Sequence, residues 1–299
     1  MSSNPDELRR QLPSTYAVRD RANPDELNRL RLQDDLVTGE MGGPLPEQDN
    51  PDKFRRILDV ACGTGGWLIE AAKTYPNITR LVGVDVNTHM INYARKWAEE
   101  EGMNDRVEFM EMDALLILEF PRGYFDLVNL RFGTGFLRTW NWPKMLSELK
   151  RVTYPGGVVR LTEVQRVHSS SPAHIRLLGI IGEALFNAGH LFSQGKVEET
   201  FAEGTGGMAN DLARLLDQYG LHDIQIRISN VHYRAGTQAG QYYIEDVRLS
   251  VKNVMPFVRK WGNLPDDYDA LARQALEEMQ QPDYSGHWDV LTAWGTTTI

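Results

Sequence analysis

The chain has 299 residues and a formal net charge of −9. That length holds one large domain or a core domain with additions, and the acidic balance argues against nucleic acid as a substrate, because phosphate contacts need a basic face. No apolar stretch approaches the roughly 20 residues needed to span a bilayer, the polar N-terminus lacks a signal-peptide core, and the single cysteine, Cys62, excludes an intrachain disulfide and fits a cytoplasmic protein.

Residues 1–20 are polar. Asn23-Pro24-Asp25-Glu26 reads as a helix start, with Asn23 as cap, Pro24 in the first turn and Glu26 completing a capping box. Leu27, Leu30 and Val37 give that helix part of an apolar stripe, and Gly39 ends it. Strands expected at 55–60, 80–84, 106–110, 125–130 and 157–163 then alternate with helices at 66–74, 88–101 and 143–152, the pattern of a parallel sheet covered on both faces. Beyond the fifth strand, Ser171-Pro172 opens an apolar helix carrying Ile175, Leu178, Ile181 and Leu185, and a second helix runs from near Met208 to Tyr219. Ile224, Ile226 and Ile228 alternate with Gln225, Arg227 and Ser229, which predicts a half-buried strand. A helical stretch over about 241–281, broken near Pro265, precedes a last strand between Trp288 and Thr298.

The most informative run is Ile57-Leu58-Asp59-Val60-Ala61-Cys62-Gly63-Thr64-Gly65-Gly66-Trp67, where a strand enters a glycine-rich turn and a helix leaves it. Glycine has no Cβ, so such a turn brings bare backbone against a ligand. Asp85 ends the next strand, 22 positions beyond Gly63, close to the offset of about 20 residues at which a carboxylate grips a ribose hydroxyl. A dinucleotide fingerprint would need a third small residue where Leu68 stands, and no Gly-Lys-Ser/Thr follows to make a phosphate loop. An NAD-dependent dehydrogenase is therefore disfavoured.

The D-x-x-C-G-T-G-G arrangement resembles the first motif of class I S-adenosylmethionine-dependent methyltransferases. The resemblance continues through Val84-Asp85, Met112-Asp113-Ala114, Phe125-Asp126-Leu127-Val128-Asn129-Leu130-Arg131 and Val152-Thr153-Tyr154-Pro155-Gly156-Gly157, in the family's order over roughly residues 55–165. It implies an α/β, Rossmann-like fold: a mostly parallel seven-stranded sheet with an antiparallel edge strand, plus a helical lid. Asn129-Leu130-Arg131-Phe132 stands where amino-methylating enzymes of nucleic acids and protein amides carry Asn-Pro-Pro-Tyr. The chain therefore resembles the branch that alkylates quinones, sterol-like lipids and secondary metabolites, with a small, apolar or aromatic acceptor.

The resemblance also implies roles for individual residues. Asp59 would orient the loop and reach the methionine ammonium, and the backbone at Ala61, Gly63 and Gly65 would approach the cofactor. Asp85 would take the ribose hydroxyls, and Val86 and Met90 would wall the adenine. Asp113 would accept from the adenine amino group, beside a backbone N–H from Ala114. Leu130 and Arg131 would face the methionine and the acceptor. Tyr16, in an N-terminal arm, is a candidate to close over S-adenosylmethionine, the product being S-adenosylhomocysteine. Should the acceptor need a base, His168, His190 and Glu163 are the candidates.

The expected organisation is an N-terminal helical arm over 1–50, a cofactor-binding core over 51–165, and lid insertions with completion of the sheet over 166–299. Residues 165–205 and 240–283, with the N-terminal helix, would build the lid. One cysteine and seven scattered histidines show no metal-ligand spacing. Surface apolar helices offer a homodimer interface. Two readings stand beside methyl transfer: a cofactor-binding cyclase or decarboxylase that does not methylate, and a cofactor-binding regulator.

Overall fold

Strand β1 (Arg56–Val60) has four consecutive buried residues, as a central parallel strand covered on both faces requires. In the computed structural model, which describes residues 24–192 and 208–298, it lies third in a seven-stranded sheet of order β3-β2-β1-β4-β5-β7-β6. The strands are β2 (Arg80–Asp85), β3 (Val107–Glu111), β4 (Phe125–Arg131), β5 (Thr153–Ser169), β6 (His222–Arg234) and β7 (Ser285–Thr296). The first five pair in parallel. β7 runs antiparallel between β5 and the edge strand β6. This is the fold class expected from the sequence.

Helix α1 (Pro24–Glu40) precedes the sheet; its expected cap, Asn23, lies outside the described residues. Within the sheet's alternation come α2 (Gly66–Thr74), α3 (Thr88–Glu100) and α4 (Trp142–Val152). Asn87 caps α3 by accepting from the backbone N–H groups of His89 and Met90. Leu68 is fully buried in α2, beside Trp67, so close helix–sheet packing is achieved there without a third glycine. β5 is longer than the expected 157–163 because it pairs with β7 from Val158↔Thr296 to Ser169↔Gly286, with an irregularity between Val164 and Arg166.

Helices α5 (Pro172–Asn187) and α6 (Leu212–Gln218) separate β5 from β6. Ser171 caps α5 by accepting from His174 N–H. Between β6 and β7 lie α7 (Gln238–Asn253), α8 (Met255–Trp261) and α9 (Tyr268–Met279), with Pro265 in the connection between the last two. α1 is tied to α7 by Arg29, which pairs with Glu26 on its own helix and with Asp246 on α7, each at 2.9 Å and all three buried.

The half-buried pattern expected at Ile224–Ile228 is not realised. Ile226 and Ile228 are 55% and 49% exposed, while Ser229, Val231 and Tyr233, on the alternate face, are buried. Period-two alternation states that two faces differ; which one is covered depends on the neighbouring elements. Among the described residues no helix is long and apolar enough to cross a membrane.

Candidate active site

The turn after β1 is built on three left-handed residues, Ala61 (φ 56°), Gly63 (φ 54°) and Gly65 (φ 81°). Cys62 N–H donates to the Val84 carbonyl at 2.9 Å, tying the turn to β2. The carboxylate at the end of β2 completes it: Asp85 accepts from Gly63 N–H at 3.1 Å and from Asn87 N–H at 2.8 Å. A Cβ added at Gly63 would meet no atom within 4 Å, so this stretch of backbone is open to a ligand. At Gly65 a Cβ would lie 2.5 Å from the Phe109 ring.

A cavity of about 450 Å³ runs from this turn to the underside of the added helices. Its first half is lined by residues at or just past the strand ends, Asp59, Ala61, Gly63, Asp85, Val86, Asp113, Ala114 and Arg131, and by Met90 in the first turn of α3. Its second half is mainly aliphatic, with Leu177, Leu178, Ile181 and Leu185 from α5 and Val247 and Val251 from α7. Phe132, Phe136 and Trp288 add aromatic wall. Open α/β sheets bind ligands at the carboxyl ends of their strands, and the first half of the cavity lies there.

The floor is a chain of buried polar groups. Asp59 accepts from Asn129 Nδ2 at 2.8 Å, Asn129 Oδ1 accepts from Arg160 Nη1 at 2.8 Å, and Arg160 pairs with Glu47 at 2.8 Å. Burial works against ionisation of Glu47, but the Arg160 guanidinium holds its carboxyl below the usual value. At Asp59 burial dominates over the nearby Arg131 charge and the Asn129 bond, and pushes the carboxyl up to about 7. Arg131 is ion-paired to Asp34 of α1, which also lines the cavity, and accepts no freedom to swing: Thr38 Oγ1 takes a second bond at 3.2 Å.

The sequence profile of the methyltransferase domain matches residues 57–157. These residues are a class I S-adenosylmethionine-dependent methyltransferase domain. The chain is 42% identical over 103 residues to a demethylmenaquinone methyltransferase of Thermus thermophilus, covering 34% of this chain and 44% of that protein. It is 32% identical over 109 residues to a sterol 24-C-methyltransferase of Gibberella zeae, covering 36% and 27%. The match therefore spans less than half the length of these curated relatives. Among solved structures, an O-methyltransferase family protein from Burkholderia thailandensis shares the fold, with a TM-score of 0.50 and 17% identity over 69% of this chain and 57% of that one.

Most residues anticipated around the cofactor of the methyltransferase domain come together on the cavity; three do not line it or cannot be placed. Gly65 lies behind the turn, where its role is left-handed backbone and close approach to Phe109. Leu130 is 1% exposed in the core, and the next residue, Arg131, faces the cavity instead, because neighbouring strand residues point to opposite faces. Tyr16 lies outside the described residues.

The three base candidates separate cleanly. Glu163 lines the cavity, accepts from Thr134 N–H at 2.9 Å and is fully buried, which pushes its carboxyl up to about 7. His190 is buried away from the cavity, its Nδ1 at 2.7 Å from the Thr134 carbonyl and its ring edge-on to Phe257; burial lowers its pKa. His168 faces a second cavity, where it meets Asp289 at 3.3 Å and stacks on His287.

Residues not anticipated from sequence complete the site. His174, in the first turn of α5, lines the cavity with its Nε2 3.2 Å from Tyr243 Oη and its Nδ1 buried without a partner. Burial lowers its pKa to about 4, so the ring is neutral near pH 7. Asp34, Arg29 and Asp246 enter from α1 and α7. No local motif marks the contacts that bring them together, since His174 meets Tyr243 across 69 residues and Arg29 meets Asp246 across 217.

Proposed function

We propose that the chain is an S-adenosylmethionine-dependent methyltransferase acting on a small, largely apolar acceptor that carries an ionisable hydroxyl, with Glu163 as the base. The observation that carries this reading is the continuity of one cavity from the strand-end turn, with its three carboxylates, to an aliphatic chamber walled in part by the buried Glu163 carboxyl, whose pKa is raised. The relatives named for demethylmenaquinone and sterol substrates accord with an apolar acceptor. The one cysteine accords with a cytoplasmic setting.

The open backbone at Gly63 and the separate carboxylates of Asp59, Asp85 and Asp113 fit an ammonium, a ribose diol and an adenine amine respectively. Val86 and Met90 fit the base's flanks, and the backbone at Ala61 and Ala114 fits close approach. When bound, S-adenosylmethionine supplies an electrophilic methyl on a sulfonium.

The chain's own residues do the rest. The floor of Asn129, Arg160 and Glu47 holds Asp59 in one orientation. Glu163 takes the proton from the acceptor hydroxyl as that oxygen forms its bond to carbon, a task suited to a carboxyl with pKa near the working pH. His174 and Tyr243 offer a neutral polar pair against which a second polar atom of the acceptor can rest. Leu177, Leu178, Ile181 and Val251 exclude water and hold the acceptor in line, which removes entropy from the barrier. Helices α1, α5 and α7 act as the lid.

The test is incubation with radiolabelled methyl donor and a panel of quinols, phenols, sterols and terpenoid alcohols. Acceptor-dependent release of S-adenosylhomocysteine is expected. Product formed from an unlabelled scaffold without S-adenosylhomocysteine release would replace this reading with a cyclase-like one, and failure of S-adenosylhomocysteine to bind would end both.

A further inference from the structure

The second cavity, about 510 Å³, opens where β5, β7 and β6 run side by side. His168, His287 and His232 are direct cross-strand partners there, one on each strand. The His168 and His287 rings stack at 4.0 Å, and His232 lies 5.3 Å from His287. Two residues along β7, Asp289 points to the same face, with one carboxylate oxygen 3.3 Å from His168 Nε2 and the other 3.5 Å from His287 Nε2. Asn230 Nδ2 donates to Asp289 at 2.7 Å and fixes the carboxylate.

We propose that His168, His287 and Asp289 bind a divalent transition-metal ion of the zinc type. A tetrahedral ion with bonds of about 2.0–2.1 Å keeps its donor atoms about 3.4 Å apart; one donor atom from each of the three residues lies within 4.8 Å of the others, and the two rings, stacked at an interplanar angle of 17°, turn about χ2 to aim both nitrogen lone pairs at one ion. Two imidazoles and a carboxylate suit zinc, nickel or copper rather than magnesium or calcium. His232 lies next along the same face, its ring 5.3 Å from that of His287, and Asn230 supplies the outer hydrogen bond that such ligands need. Arg166, opposite Asp289 in register, and Arg234, on the cavity wall, are the opposing charges and hold the affinity below that of an all-anionic site.

The ion would take no part in methyl transfer. Val167 and Trp288, which line the first cavity, alternate with His168 and His287 and so face the other way. Its effect is to clamp β5 to β7 behind that cavity wall.

The experiment uses the tag-free, chelator-stripped full chain, titrated with zinc by calorimetry and with cobalt by visible absorption. One equivalent of zinc is expected, binding at least about tenfold more weakly in His287→Ala and in Asp289→Asn and unchanged in His222→Ala, at the far end of β6. Bound cobalt should give the intense visible bands of a tetrahedral site without a sulfur charge-transfer band. Should His287→Ala fail to fold, His168→Gln and Asp289→Asn carry the same readout. Absence of saturable binding, wild-type affinity in the Asp289→Asn or His168→Gln variant, or binding that disappears in Cys62→Ser would each overturn the proposal.

Discussion

Replacing Glu163 with glutamine separates the carboxyl's charge from its shape. Glutamine keeps an oxygen that accepts from Thr134 N–H, as the carboxyl does at 2.9 Å, but it cannot ionise. Burial moves the Glu163 carboxyl from an ordinary 4.5 to about 7 in the folded chain. A carboxyl with a raised folded pKa holds its proton more tightly when native than when unfolded. Its stabilising contribution is therefore complete below pH 4.5, declines as pH rises, and is gone above about 7. The whole swing corresponds to about 3 kcal/mol. Between pH 5.5 and 8.5 the wild type should lose about 2 kcal/mol relative to the variant. Urea unfolding at a series of pH values measures this directly. Asp59, also raised to about 7, contributes the same slope to both proteins and cancels in the difference. The variant should be the more stable protein at pH 8.5, with kcat lower by about 10²–10⁴-fold and S-adenosylhomocysteine affinity unchanged. Wild-type kcat should rise through pH 7. Stability curves that stay parallel to within about 0.5 kcal/mol would show that the carboxyl is hydrated, and an unchanged kcat would remove Glu163 as the base.

Asp85→Ala should weaken S-adenosylhomocysteine binding by at least about tenfold in calorimetry, since hydrogen bonds to a charged group contribute about 1.5–3 kcal/mol. Ile181→Trp, on the aliphatic half of the cavity, should raise KM for the acceptor while leaving S-adenosylhomocysteine affinity as it is. Arg29→Met strands the buried carboxylates of Glu26 and Asp246, and chemical denaturation should register a loss of about 3–5 kcal/mol. Gly65→Ala forces a Cβ onto a left-handed residue 2.5 Å from the Phe109 ring and should lower Tm, with a loss of about 2 kcal/mol or more.

The strand-end half of the cavity was legible because its signals are local. The turn from Ala61 to Gly65 needs left-handed backbone, which glycine supplies twice, and Asp85 follows one helix and one strand later. The chamber end was not, because its walls come from α5 and α7, and His174 meets Tyr243 across 69 residues with no motif linking them. β5 shows the difficulty at its sharpest. In an uninterrupted strand, Val164 facing the cavity would bring His168 to the same face, four positions on. The register instead shifts between Val164 and Arg166, so that Val167 lines the cavity and His168 is turned away from it. Counted from Glu163, which also lines the cavity, plain alternation would already turn His168 away; counted from Val164, the irregularity does so, and the pairing sets His168 beside His287 and Asp289. The irregularity carries no mark in Val164-Gln165-Arg166-Val167, since an extra strand residue needs no special side chain. Alternation read from the sequence therefore gives His168 either face, according to whether Glu163 or Val164 is taken to face the cavity, and only the pairing with β7 decides between them.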